Sequence, residues 1–295
     1  MSDEQMQVFN APPVEPRAAF VTEEEVARFE DLADEYAEQV TEIMAAPVAE
    51  EHLVEIEHLG LEVDSDVYRV VDIRGRFTSP DGNWAIRTKD LGQITHYNGP
   101  ATPARAWQDP LAWIKFINDL HAQPGRFAPG WTFDGVAYHE FYFNDVVYLC
   151  RNYRAVLPHC GNTEWNFRAL AGHIAIGGSQ RANQQTLRTA TARVLDHFRV
   201  MKLGRSRAVG HQEVGSSACP GTLMQDFVRP FRAGQNPGGS PRPAPQPSPP
   251  GDTIYRVRVT EAGQIGAYRD AENARRVVRQ LRDLGVKHAV EPPLP

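Results

Sequence analysis

Gly210-His211-Gln212-Glu213-Val214-Gly215-Ser216-Ser217-Ala218-Cys219-Pro220-Gly221 is the stretch that decides how this chain is read. It sets a histidine and a cysteine eight positions apart, and both are ligands for a borderline-soft ion such as zinc. Cys-Pro-Gly then turns the chain sharply, because proline cannot continue a helix. A metal site needs at least one further ligand from far upstream. The candidate is His96, in the β-prone run Gln93-Ile94-Thr95-His96-Tyr97, which Asn98-Gly99-Pro100 ends. His96, His211 and Cys219 make three protein ligands and leave the fourth position to water or substrate, the count of a catalytic zinc site. Bound zinc lowers the pKa of its water and polarises a carbonyl. The chemistry read from these residues is therefore that of a zinc hydrolase.

Working outward, strands alternate with helices. Val67-Tyr68-Arg69-Val70-Val71-Asp72-Ile73 is dense in β-branched residues and reads as a strand. Asp109-Pro110-Leu111 opens a helix with Pro110 at its first position, and Leu111, Ile114, Ile117 and Leu120 form its apolar stripe. Ala137-Tyr138-His139-Glu140-Phe141-Tyr142-Phe143, the turn Asn144-Asp145 and Val146-Val147-Tyr148-Leu149 form a hairpin. Residues 171–176 are a short buried strand, 183–201 a helix with Leu187, Ala190, Val194, Leu195 and Phe198 inward, and 223–231 a last helix. This alternation predicts an α/β fold, a central mixed β-sheet flanked by helices.

The flanks differ in composition. Residues 1–20 are polar and read as loosely attached. Residues 22–44 carry Val26, Phe29, Leu32, Tyr36, Val40 and Ile43 at helical spacing behind an acidic start with Thr22 as N-cap, so a solvated helix laying one stripe on the catalytic domain is expected. Residues 46–66 read as a second short acidic helix and a connector. Beyond the core, residues 237–251 hold seven prolines and no large apolar residue, a semi-rigid linker. Strand 254–259, helix 270–284 and strand 286–290 then make a small β-α-β unit. The expected organisation is an acidic helical extension over 1–66, a catalytic domain over 67–234, a proline-rich linker over 235–252 and a small tail over 253–295.

Bulk properties exclude several classes. The 295 residues carry a net charge of −6, which gives no electrostatic basis for nucleic-acid binding. No run of about 18 apolar residues offers a membrane span, and the N-terminus lacks the pattern of a classical signal peptide. Synthesis in the cytoplasm is the expectation. Three cysteines, Cys150, Cys160 and Cys219, are too few and odd in number for a disulfide framework.

Around the three ligands, Tyr138 on its strand is placed to aim into the cleft, and Ser217 can offer a hydroxyl or a backbone NH beside the metal. His139 reads as an ordinary hydrogen-bonded neighbour. His159 and Cys160 are an alternative metal pair, but adjacent residues of an extended chain point to opposite sides. Glu140 and Glu213 could act as general bases, though each reads first as a supporting or surface carboxylate. Trp107, Trp113 and Trp131 read as core. Trp165, in a polar loop, is the candidate for stacking on a ligand.

Taken in order, these motifs resemble the zinc-dependent N-acetylmuramoyl-L-alanine amidases, the type shared by phage endolysins and peptidoglycan recognition proteins. Ile94-Thr95-His96 is similar to the family's first zinc strand. Residues 110–121 followed by Trp131 resemble its helix, closing His and Gly-Trp segment. Ala137-Tyr138-His139-Glu140-Phe141 resembles the strand with the catalytic tyrosine. Pro158-His159 and then Asn166 resemble its Gly-Ala-His and Asn, and Gly210-His211 to Cys219-Pro220-Gly221 matches the second histidine and Cys-Pro-Gly. The resemblance spans residues 70–232. It implies zinc at His96, His211 and Cys219, Tyr138 beside the scissile amide, and His159 and Asn166 among the substrate-binding residues with Trp165. Where the family usually has Lys or Thr to polarise the carbonyl, this chain has Ser217. The implied reaction is hydrolysis of the amide between N-acetylmuramic acid and L-alanine by a zinc-activated water, with peptidoglycan as partner. An endolysin, released by a holin if phage-encoded, or a bacterial autolysin is implied. A non-catalytic peptidoglycan-binding module or a virion component is the alternative. The tail, through Tyr255-Arg256-Val257-Arg258-Val259 and residues 266–274, resembles one half of a SPOR-type wall-binding domain.

Overall fold

The structure is a computed structural model. It describes residues 21–45, 67–82, 85–127, 130, 132–177 and 179–239, the strands 255–259, 263–268 and 288–291, and residues 275 and 278. The readings for residues 1–20 and 46–66, for Trp131, for most of the linker and for most of helix 270–284 lie outside the described residues. The chain divides into two compact units, Met1–Arg242 and Pro243–Pro295.

In the first unit, α1 (Glu23–Ala45) starts in a capping box. Glu25 N–H donates to Thr22 Oγ1 at 3.1 Å, and Thr22 N–H donates back to Glu25 Oε2 at 2.7 Å. After β1 (Arg69–Asp72) and β2 (Gly92–His96) come the short helix α2 (Ala104–Gln108) and α3 (Pro110–His121). Asp109 caps α3 by accepting from Ala112 N–H at 3.0 Å. Strands β3 (Glu140–Phe143) and β4 (Val146–Leu149) form the expected hairpin, with Asn144 at φ 50° in its turn. Helix α4 (Thr163–Arg168) leads directly into β5 (Ala169–Ile174). Helix α5 (Gln184–Met201) is capped by Asn183 and ends on Lys202 in the left-handed region, at φ 55°. Strand β6 (Ala208–Gly210), a π-helical turn (Met224–Val228) and α6 (Arg229–Arg232) complete the unit.

The sheet has the order β1-β4-β3-β5-β2-β6. Strands β3, β5, β2 and β6 run parallel, while β4 is antiparallel to β3 and parallel to β1. It is the mixed sheet flanked by helices that the alternation of elements predicts. One face packs Phe141, Phe143, Tyr148 and Ala171 under α3, whose Trp113, Phe116 and Ile117 also receive Phe29 and Tyr36 of α1. The stripe of α1 thus lies in the main core. The other face packs Tyr142, Val147 and Ile174 against Leu187, Val194 and Phe198 of α5 and Phe227 and Phe231 of the last helical turns.

A buried polar network sits between the sheet and α5. Glu140 accepts from Arg193 Nε at 2.9 Å, Tyr142 Oη at 2.9 Å and Tyr153 Oη at 2.5 Å. Gln93 donates to Tyr142 Oη at 3.0 Å and faces His197 Nδ1 at 2.8 Å. Burial alone would raise the Glu140 pKa. The charge of Arg193 and the His197 beside it outweigh that and hold the carboxyl well below the carboxylate range. Glu140 is therefore an internal structural anion.

At the end of the unit, Pro237 and Gly238 are held on α5. Thr191 Oγ1 donates to the Pro237 carbonyl at 2.9 Å and Arg188 Nε to that of Gly238 at 3.2 Å. The proline-rich stretch therefore begins docked.

The second unit contains β7 (Tyr255–Val259), β8 (Gly263–Tyr268) and β9 (His288–Glu291) in the order β8-β7-β9, both pairings antiparallel. Strand β8 was not anticipated. Its Gly263, Gly266 and Ala267 weaken the β signal that periodicity reads, and cross-strand pairing with β7 supplies what propensity does not.

Candidate metal centre

The sheet register brings the site together. His96 pairs with His173 across β2 and β5, and Thr95 pairs with Gly210 across β2 and β6, so His211 follows β6 at the level of His96. The loop from His211 to Cys219 folds back on itself, with Gln212 N–H donating to the Cys219 carbonyl at 2.6 Å. Two glycines permit this. A Cβ on Gly210 would stand 2.2 Å from Met224 Sδ and 2.7 Å from Pro220, and Gly221 takes φ +56° against the Tyr97 ring. The Cys219-Pro220 peptide is cis.

The ligand atoms of His96, His211 and Cys219 lie within 4.8 Å of one another, and all three residues are buried. Cys219 Sγ is 3.8 Å from His96 Nδ1. Nitrogen and sulfur ligands about 2.0–2.3 Å from a tetrahedral zinc stand roughly 3.5 Å apart, so this donor set fits zinc with little movement. Among the described residues it is the group of three or more such side chains that could hold a metal. Protonation states agree. Burial, together with the neighbouring His211 and His159, keeps the His96 pKa well below its ordinary value. Burial pulls His211 down to about 4, against a hydrogen bond to the Cys160 backbone. Both rings are thus neutral at pH 7 with lone pairs to give. Burial pushes the Cys219 thiol far up, so a thiolate there calls for a nearby cation.

Tyr138 closes one side, its ring centroid 5.0 Å from that of His96, 5.4 Å from His121 and 4.8 Å from His173. Burial raises its pKa well above the ordinary phenol value, so the hydroxyl keeps its proton. Ser217 is half-buried, and its Oγ accepts from Cys219 N–H at 3.0 Å, which fixes the backbone of the cysteine.

The other sequence candidates have these places. His159 Nδ1 lies 3.1 Å from His96 Nε2, and the residue is 1 % exposed. Asn166 Oδ1 accepts from the N–H groups of His159 and Cys160 at 3.1 and 3.0 Å. Trp165 is not in a loop. Asn162 caps α4 through Trp165 N–H, and the indole packs against the cluster of Ile94, Cys160, Ala169 and Val209. The signal was present in Asn162-Thr163-Glu164, an N-cap followed by an acidic first turn. His139 is fully satisfied, accepting from Ala171 N–H at 2.9 Å through Nδ1 and facing the Ala155 carbonyl at 3.1 Å through Nε2. Glu213 braces the loop, bonding Gly210 N–H at 2.8 Å and Arg232 at 2.7 Å. His173 was overlooked. A histidine inside the otherwise apolar run Ala169–Ile174 was its only signature.

No protein-family model matches this chain, and no curated protein does. Solved structures with partial likeness include a wild-type Drosophila PGRP-LB, at 15 % identity and TM-score 0.42, covering 59 % of this chain and 96 % of that one. The N-acetylmuramoyl-L-alanine amidase LysC from Clostridium intestinale is 19 % identical with TM-score 0.42, covering 56 % and 96 %. The endolysin amidase LysCS from the same organism is 17 % identical with TM-score 0.40, covering 56 % and 99 %. The fold stands on the strand order above, and the chemistry on the ligand geometry. Among the described residues, no helix is long and apolar enough to cross a membrane.

Proposed function

We propose that this protein is a zinc-dependent peptidoglycan amidase that cleaves the bond between N-acetylmuramic acid and L-alanine. One observation carries the reading: His96, His211 and Cys219, residues up to 123 positions apart in sequence, meet with ligand atoms within 4.8 Å beside Tyr138. These are the residues that the ordered motifs single out.

His96, His211 and Cys219 would hold the ion. Zinc there supplies Lewis acidity toward an amide carbonyl. The remaining work belongs to the chain. His96 and His211 would give neutral imidazoles and Cys219 a thiolate to the ion. Tyr138, protonated at neutral pH, donates toward the oxygen that gains charge as the amide is attacked. Ser217 holds the Cys219 backbone and, with Oγ used as acceptor, retains its own O–H to donate at the rim. The buried walls exclude water and strengthen both interactions. The tail, with its resemblance to half of a SPOR-type domain, is proposed to add wall affinity.

Purified cell walls incubated with zinc-loaded protein should release new L-alanine amino termini, and a chelator should abolish this. Binding to walls without release would favour the non-catalytic recognition module instead. Elemental analysis should find about one zinc per chain.

A further inference from the structure

His159, anchored by Asn166, connects directly to the metal group. His96 offers Nδ1 toward Cys219, at 3.8 Å from Sγ, and its other nitrogen, Nε2, meets His159 Nδ1 at 3.1 Å. Between two neutral imidazoles one nitrogen must donate and the other accept. If Nδ1 of His96 gives its lone pair to a metal, its proton sits on Nε2 and His159 Nδ1 is the acceptor. The second nitrogen of His159 has no partner among the described residues, so no other contact competes to set its tautomer.

The acceptor itself is anchored. Asn166, in the middle of α4, receives the backbone N–H groups of both His159 and Cys160, and Cys160 Sγ lies 3.1 Å from the same oxygen. The Cys160 backbone is also the hydrogen-bond partner of His211, and any Cβ on Gly215 would strike the Cys160 carbonyl at 2.4 Å. One short segment thus contacts both histidines.

We infer that His159, fixed by Asn166, is a positioning residue that orients His96 and selects the tautomer in which Nδ1 faces the metal. This rests on the ligand assignment made above. Partners of this kind contribute about 10- to 100-fold to metal affinity.

The test is zinc affinity of the full chain, measured by competition with a chromophoric chelator. Replacement of His159 by Leu keeps the volume close and removes the acceptor. Replacement by Asn places Oδ1 near the original Nδ1. His159→Leu should weaken zinc binding about 10- to 100-fold, and His159→Asn should restore most of it, with both variants matching wild type in far-ultraviolet circular dichroism. In zinc-loaded wild type labelled with nitrogen-15, His96 should show a protonated Nε2 and a metal-bound Nδ1. Affinity of the Leu variant within twofold of wild type, or His96 bound through Nε2, overturns the inference; because the spectrum reads wild type alone, a Leu variant that fails to fold does not shield it. Wild type that takes up no zinc overturns the ligand assignment itself.

Discussion

The rings of Phe29 and Trp113 meet edge to face, 4.7 Å between centroids and 85° between planes. This joins the N-terminal helix to the helix that covers the sheet. Phe29 is fully buried, and Glu25 at the same helix start pairs with Arg126 at 2.6 Å. Val21 N–H reaches the carbonyl of Asn98, two residues beyond His96. Phe29→Ala should cost about 3–5 kcal/mol of stability, read as a lower midpoint in urea. A loss below about 1 kcal/mol, within the range of ordinary surface substitutions, would show that the helix is not part of the cooperative core.

Glu140 gives the stability a defined acid dependence. Its folded pKa is depressed below the ordinary 4.5. Its contribution is therefore complete above that value and is lost as pH falls through the folded pKa. Glu140→Gln leaves Arg193 buried without a counter-charge, which should cost about 3–5 kcal/mol at pH 7. The gap between variant and wild type should narrow between pH 4.5 and 3. Unfolding free energies across that range check the sign, and a constant gap would contradict it.

Tyr138→Phe deletes a hydroxyl whose expected partner acquires charge only during reaction. Turnover should fall about 100-fold, with KM changed little. Equal losses in binding and turnover would place the hydroxyl on the ground-state substrate.

Ser217→Lys exchanges an acceptor for Cys219 N–H for a cation at the rim. Activity should be kept or raised, because the charge can stabilise the developing oxyanion, while stability falls by about 1 kcal/mol for the lost hydrogen bond. A folded, zinc-loaded and inactive variant would remove Ser217 from the reacting side of the site.

Much of this was legible in one dimension. The capping residues Thr22, Asp109 and Asn183, the Asn144-Asp145 turn and the apolar stripes of α1, α3 and α5 are local signals, set by backbone hydrogen bonding and helical periodicity. His211 and Cys219 belong to one short loop, so their nearness was readable too. Strand β8 was missed because its propensity is weak and its partner β7 is contributed by another segment, and α4 because it is only 6 residues long, although Asn162 and Glu164 mark its start.

What the sequence by itself determined was the inventory: a mixed α/β layer fold, three candidate ligands and a tyrosine. Only the tertiary structure decided which face of β2 each residue shares. Strand alternation turns Gln93 toward Tyr142 and His197 and sends His96 to the metal side, and pairing of β2 with β5 sets His173 beside it. The same packing set His159, anchored by Asn166, against the second nitrogen of His96, a relation between segments more than 60 residues apart. Distances of that kind depend on sheet register and on the loops that cross it, and no local pattern encodes them.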